Sequence, residues 1–485
     1  IVDQDLLERV ETEQWRRLIF SVCFQHSIVQ ERKKFGSLGW CVPYEYNDGD
    51  LIACLTFLEK HLTTQPELSW NTLHYMVSEV QYGGKITDTM DQRLFDSYAQ
   101  ALIAPESLVP GFTFNPENPI NSMPKDFEYI IPDLPEIEDY ISFIEAMPDQ
   151  DSPEIFGLHP NGDLTFRKKD VYQLLTTIIE TQPKESAAVG GQTREDLVYD
   201  KCTEMLDSMP SDYVEEDYLD QIKNMGGLSV PLNVFLMQEV QLLQVVIARV
   251  RSMMTIMQQA IRGEVVITGT ILEAISAVYD ARVPGNWVHS VGGDEISWQS
   301  STLGLWYAGL GLRDDQLREW LAEGPQPAYW LTGFFNAQGF LTSVQQEVTR
   351  AHLADKWSLD SVVTHTEVTD VSEVHEVKGI PSNEGAMIFG LSLDGAAWST
   401  TEKTLVESEP KTLFCALPVM LITAVTKAQM KGMVDVANVS YECPVYKYPQ
   451  RTDLFFIFKV NLKCQANYTP VHWALRGVAL LCNTE

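Results

Sequence analysis

Basic residues are scarce in this 485-residue chain: Lys and Arg number 35 against 67 Asp and Glu, giving a formal net charge of −32. Such an excess repels nucleic acid and anionic bilayers over a Debye length, so neither is expected as a partner. Paired cysteines are missing as well. The eight (Cys23, Cys41, Cys54, Cys202, Cys415, Cys443, Cys464 and Cys482) show no C-x-x-C spacing, and most lie in apolar strings such as Val22-Cys23-Phe24. That suits buried reduced thiols better than a zinc site or a disulfide lattice. No run is expected to approach the roughly 18 apolar residues of a membrane span, and the stretch around Phe414–Val425 is too short. The chain starts Ile1-Val2-Asp3 with no Met, basic region or apolar leader, so no signal peptide is read and a piece of a longer chain is expected. The sequons at Asn438 and Asn467 are then read as chance matches.

Catalytic signatures are also lacking. A phosphate-cradling loop needs G-x-x-x-x-G-K-[ST]; around Tyr82-Gly83-Gly84-Lys85-Ile86, Glu79 replaces the first Gly and Ile86 the hydroxyl. Gly190-Gly191 and Gly292-Gly293 follow no βαβ pattern. His375-Glu376 begins an H-E-x-x-H, but Gly379 stands where the second His belongs. Gly390-Leu391-Ser392-Leu393-Asp394 has Asp in place of the second Gly of a nucleophile elbow. Nine histidines form no i, i+4 pair, and Glu215-Glu216-Asp217 and Asp314-Asp315 read as solvated charge. The expected catalytic, cofactor and metal residues are therefore none. A freestanding cytosolic hydrolase using scattered carboxylates is the alternative. A carbohydrate-binding module is another, because Trp298, Trp306, Tyr307, Trp320, Tyr329, Trp330, Phe334, Phe335 and Phe340 crowd one stretch. Without basic interleaving, that crowd reads as packed core and interdomain seam.

What is present is a globular composition, 45% apolar and 21% charged, with mean hydropathy −0.10 and 54.8 kDa, enough for more than one core. The pattern predicts an α+β fold. Residues 1–145 read as helical, with apolar spacing over Trp15–Val29, Leu51–Leu62, Trp70–Val80 and Gln92–Leu102. A proline-spaced connector runs from Pro105 through Pro116, Pro119 and Pro124 to Pro135. Ile137–Met147 and Lys169–Glu180 read as helices about a His159-Pro160-Asn161-Gly162 bend, Ser186–Thr193 as a Gly-rich loop, and residues 146–380 as mainly helical. The strongest helix runs from Leu232 to Ile261, started by Ser229 and Pro231 and stopped by Gly263, with Leu243 and Ile247 on its apolar stripe. At roughly eight turns it is expected to span between modules. Residues 381–485 alternate, with strands predicted over Ala386–Leu393, Leu413–Ala424, Val439–Tyr446, Leu454–Leu462 and Ala474–Leu481, as an antiparallel sheet or small β-barrel.

Several strings resemble the C-terminal part of dynein heavy chains. His26-Ser27-Ile28-Val29-Gln30-Glu31-Arg32-Lys33-Lys34-Phe35-Gly36-Ser37-Leu38-Gly39-Trp40, with Pro43-Tyr44-Glu45-Tyr46-Asn47-Asp48, looks like the helical lid of that family's sixth AAA+ module. Tyr82-Gly83-Gly84-Lys85-Ile86-Thr87-Asp88, with Asp91 and Arg93, matches a turn of the same lid. Pro153–Asn161 resembles the start of the dynein C-terminal domain, and Trp330-Leu331-Thr332-Gly333-Phe334-Phe335-Asn336 its aromatic motif. Tyr441–Lys447 and His472-Trp473 with Arg476–Cys482 resemble its closing strands. Ser300–Gly304, Gln346–His352 and Arg451–Leu454 are most similar to outer-arm axonemal chains of the gamma type rather than cytoplasmic ones. Cys41 stands where Asn is usual, Ala337 where Pro is usual, and Gly292–Glu295 is extra.

The resemblance implies a lid over 1–145 and a C-terminal domain over 146–485. It implies a non-catalytic part of an ATP-driven, minus-end-directed microtubule motor of the ciliary or flagellar axoneme. ATP or ADP with Mg would bind only upstream modules. Implied partners are the rest of the ring in cis, microtubules, intermediate and light chains, and other outer-arm heavy chains. The structural and interdomain candidates are Arg32, Trp40, Pro43, Tyr82, Gly83, Gly84, Arg93, Leu243, Ile247, Trp330, Gly333, Phe334, Phe335 and Arg476.

Overall fold

Several helices begin where a side-chain oxygen meets an amide that the helix itself leaves unbonded. Asn47 and Asp50 form a capping box that starts Asp48–Thr64, and Asp88 accepts from the amides of Met90 and Asp91 to start Thr89–Leu102. Glu13–Glu31 buries Trp15, Leu18, Ile19, Val22, Ile28 and Val29. Trp70–Tyr75 passes into a wider, π-type turn over Met76–Gln81. The computed structural model describes all residues except 66, 115–127, 151, 182–192, 291, 434–438 and 485. The middle of the proline connector, most of the Gly-rich loop and the Asn438 sequon lie outside the described residues.

Eleven strands occur among the described residues: β1 Tyr329–Trp330, β2 Val362–Val368, β3 Ala386–Phe389, β4 Ser392–Asp394, β5 Ala397–Ser399, β6 Thr404–Val406, β7 Phe414–Ala416, β8 Met420–Thr426, β9 Ser440–Tyr446, β10 Phe456–Lys463 and β11 Ala479–Leu481. The chain divides into two compact units.

The first unit holds Ile1–Ile178, Ser392–Ala416 and Asp435–Thr484. Its main sheet runs β10-β9-β11-β4-β7, with a separate β5-β6 pair. β11 lies parallel to β9 and antiparallel to β4. The strand predicted over Ala474–Leu481 is observed over Ala479–Leu481 alone, because Ala474 and Leu475 end a short helix, Pro470–Leu475, started by Pro470.

The second unit holds Ile179–Leu391 and Leu417–Val434. Its sheet runs β1-β3-β8-β2, covered by the helix Ala337–Ala351. At its centre lies Pro231–Ile261, with the boundaries its proline and apolar spacing predict. Around it pack Arg194–Ser208, Glu215–Asn224, Gly269–Tyr279, Leu303–Glu323 and Ala337–Ala351, all in the same unit.

Three expectations are corrected. Among the described residues neither larger sheet closes: β10 and β7 end one and β1 and β2 the other, so these strands form open sheets rather than a barrel. The long helix is the core of one unit rather than a span between modules, its stripe covered by helices that flank it in sequence. By length and composition that helix could cross a bilayer, with mean hydropathy 1.3 over its most apolar window. Gln238, Glu239, Gln241 and Gln244 break up the apolar run without lowering that mean enough, and 56% of the window is buried inside the protein, as in a core helix.

Candidate functional site

In the first unit, arginines leave one segment and end on the main-chain oxygens of another. Arg32 follows Glu13–Glu31 and is fully buried. Its Nε donates to the Gly39 carbonyl at 2.8 Å, and its Nη2 to the carbonyls of Leu38 at 3.4 Å and Leu475 at 2.9 Å. Its Nη1 donates to the Tyr98 hydroxyl at 2.6 Å and to the Phe156 carbonyl. Tyr98 in turn donates to Phe156 at 2.5 Å. A guanidinium cannot discard its charge, so burying one is tolerable only when its donor fork is filled. Three distant stretches of chain fill it here.

Arg476 repeats the device. Its Nη1 donates to the carbonyls of Gly157 at 3.1 Å and Leu158 at 2.5 Å, while Nε and Nη2 reach Glu407 Oε1 at 3.1 Å. His472 Nε2 meets the same carboxylate oxygen at 2.5 Å. Burial alone would push the Glu407 carboxyl up, but the bonds from His472 and Arg476 outweigh it and hold it below the usual carboxylate range. Arg93 donates to the Glu442 carbonyl at 2.7 Å and the Tyr441 hydroxyl at 2.9 Å, with its guanidinium 4.7 Å from the Tyr441 ring centre. Arg451 donates to Gly477 O at 2.5 Å and Asp394 Oδ2 at 2.6 Å.

The turn that mimics a phosphate loop is bracing. Tyr82 is buried and its hydroxyl bonds His26 Nδ1 at 2.8 Å. A Cβ on Gly83 would lie 2.2 Å from the Ser78 carbonyl, whereas Gly84 faces open space. Lys85 pairs with Asp50 at 2.7 Å instead of standing ready for an anion. Trp40 donates to the Val29 carbonyl at 3.0 Å, and Pro43 is exposed.

Cys41, Asp88 and Asp91 offer atoms within 4.8 Å of one another, a spacing that could hold a metal ion. Asp91 already takes the amides of Cys41 at 2.9 Å and Val42 at 3.0 Å. Burial chiefly pushes its carboxyl up to about 6, with Asp88 adding to the rise. Those bonds brace backbone, and we assign the trio a bracing role.

In the second unit the aromatic cluster is core. Trp306, Trp320 and Phe340 are fully buried, and Arg313 lies 3.8 Å from the Trp298 ring centre and 5.0 Å from that of Trp330. A Cβ on Gly333 would stand 2.6 Å from the Trp330 ring. Phe334 packs edge-on against Phe235, ring centres 5.0 Å apart. Glu239, buried on the long helix, accepts from the amides of Phe335 at 2.7 Å and Asn336 at 3.0 Å. Leu243 and Ile247 are fully buried on the same helix. Asp314 departs from the expectation of solvated charge: it is buried and paired with Arg318 at 2.7 Å.

The structure thus brings Arg32, Trp40, Tyr82, Gly83, Arg93 and Arg476 into one unit, and Leu243, Ile247, Trp330, Gly333, Phe334 and Phe335 into the other. Tyr98, Asn161, Arg313, Glu239, Glu407 and Arg451 are absent from the sequence-derived candidates, although Asn161 and Arg451 fall in strings quoted above. Glu239, the single acidic residue of the apolar stretch 231–261, carried a signal, whereas the others sit in polar or mixed strings. An apolar cavity of about 310 Å³ among the first unit's helices is lined by Ile19, Phe20, Phe24, Ile137 and Tyr140, with Cys23 on its wall. Burial pushes that thiol up to about 12, which makes it a poor nucleophile.

A family model for the C-terminal domain of the dynein heavy chain matches residues 168–482, and one for the AAA lid domain of the same heavy chain matches residues 15–162. Over its whole length the protein is 41% identical to Dynein axonemal heavy chain 8 of Homo sapiens and 39% identical to Dynein axonemal heavy chain 5 of Mus musculus. It is 38% identical, again over its whole length, to the Dynein gamma chain, flagellar outer arm, of Chlamydomonas reinhardtii. It spans about 10% of the length of each of these relatives.

Proposed function

This chain belongs to the dynein heavy chain family, and on that premise we propose that it serves an ATP-driven, minus-end-directed microtubule motor of the ciliary or flagellar axoneme. Its place there is a non-catalytic part of the motor ring that packs across the ring and modulates mechanical coupling. The outer arm and the gamma type are the finer assignment, supported by the flagellar outer-arm relative. Residues 1–145 are assigned as the lid and 146–485 as the C-terminal domain. ATP or ADP with Mg would act in upstream modules. The remainder of the ring would be the partner in cis, and microtubules, intermediate and light chains and other outer-arm heavy chains the partners of the whole motor.

The observation that carries this reading is the set of arginines, Arg32 and Arg476 buried and Arg93 half-buried, that fasten the N-terminal part of the first unit to its closing segment. Rigid main-chain fastening suits a part that transmits motion, and it spends the buried charge on shape rather than chemistry. The net charge of −32 also argues against direct contact with an acidic polymer surface.

An antibody against this protein, used on fractionated ciliated cells, tests the proposal. The expected result is one band several-fold heavier than 54.8 kDa in a salt-extractable axonemal fraction. A heavy band confined to cytosol would replace the axonemal assignment with a cytoplasmic one. A band near 54.8 kDa would overturn the motor reading.

A further inference from the structure

The His159-Pro160-Asn161-Gly162 bend links two bonding systems through the two nitrogens of one imidazole ring. His159 Nδ1 accepts the backbone N–H of Asn161 at 3.1 Å, so that nitrogen carries a lone pair and the ring is the Nε2–H tautomer. The Asn161 side chain clasps a loop 250 positions away. Its Nδ2 donates to the carbonyls of Glu409 and Thr412, each at 2.8 Å, and its Oδ1 accepts from the Lys411 amide at 2.7 Å. Lys411 has φ +69, a left-handed conformation that a lysine holds only when its surroundings impose it. The loop leads directly into the edge strand β7.

On the other side of the ring, Nε2 stands 4.0 Å from Glu407 Oε2. Arg476, Glu154 and the Ser408 backbone also face His159, and His472 bonds the same Glu407 carboxylate.

We propose that His159 and Asn161 form a proton-operated latch on the loop Glu409–Thr412, closed when the imidazole is neutral and released when it is protonated. A proton on Nδ1 removes the lone pair and sets two N–H groups against each other, while the new cation is drawn toward Glu407. Asn161 must then shift, and the three bonds that hold Lys411 in its strained conformation go with it.

The direction is fixed by the environment. Burial, with help from Arg476, holds His159 below its ordinary value of 6.5, against the pull of Glu407 and Glu154. The folded protein therefore binds fewer protons at this site than the unfolded one. The latch's contribution is complete above pH 6.5 and is lost as pH falls from there through the lower folded value.

The test is hydrogen exchange by mass spectrometry on the native heavy chain at about pH 7.5 and about pH 5.5, corrected for intrinsic rates. The peptide covering Glu409–Ala416 should lose protection about tenfold on acidification, while the long helix stays unchanged as a reference. His159→Asn keeps an oxygen that can accept the same i+2 amide but cannot titrate, and it should stay protected at both values. Asn161→Ala should exchange fast at both. An unchanged wild-type peptide, or acid loosening that persists in His159→Asn, would overturn the proposal.

Discussion

Arg32 donates to the main-chain carbonyl of Leu475, 443 positions further along the sequence, at 2.9 Å. One side chain at the end of an N-terminal helix therefore fixes where the closing segment sits. Lysine could occupy the same space with a point charge but could not fill a planar fork. Arg32→Lys should cost about 3 kcal/mol, measured as a lower denaturation midpoint with the slope preserved. A change inside measurement error would show that the carbonyls find other donors.

Arg93 and Tyr441 are joined by a 2.9 Å bond and by a ring contact at 4.7 Å. The arginine is half-buried, so its cost should be smaller than that of Arg32. In a double-mutant cycle with Arg93→Ala and Tyr441→Phe, the coupling should be about 1 kcal/mol. Strict additivity would contradict the pairing.

Gly333 has no room for a methyl group beside Trp330. Gly333→Ala should displace that indole from Arg313 and cost about 1–3 kcal/mol, with a changed near-ultraviolet circular dichroism spectrum. An unaltered spectrum would mean the ring moves aside freely.

The thiols give a chemical readout. Burial pushes Cys54, Cys202, Cys443 and Cys482 each up to about 12, and all four are buried side chains. In the native protein they should resist maleimide at neutral pH, and they should label together on unfolding. Rapid native labelling of any of the four would place that thiol at the surface.

Some of this architecture was readable in advance for plain reasons. Pro231 and the apolar spacing through Ile261 carry their own start, stripe and stop, so the long helix was legible to within a residue. The neighbours that cover it were not, because helix bounds say nothing of tertiary partners. Strand β2 was missed because only Val362 is buried along it, leaving no clean alternation. Strand β9 buries Tyr441 and then Cys443–Tyr446 in succession, a pattern that cannot distinguish an open sheet from a barrel. The arginine fastenings were the least legible. Their acceptors are mostly main-chain carbonyls, which look alike at every position, so Arg32 and Arg476 could be singled out but their partners could not be named.

The central claim is that the arginine-fastened first unit transmits force without doing chemistry. The most direct test places Arg93→Ala with Tyr441→Phe in the full heavy chain and measures microtubule gliding velocity and ATP turnover on the same preparation. The account predicts that velocity per ATP hydrolysed falls while basal turnover is retained. Unchanged coupling with intact folding, or loss of basal turnover itself, would contradict it.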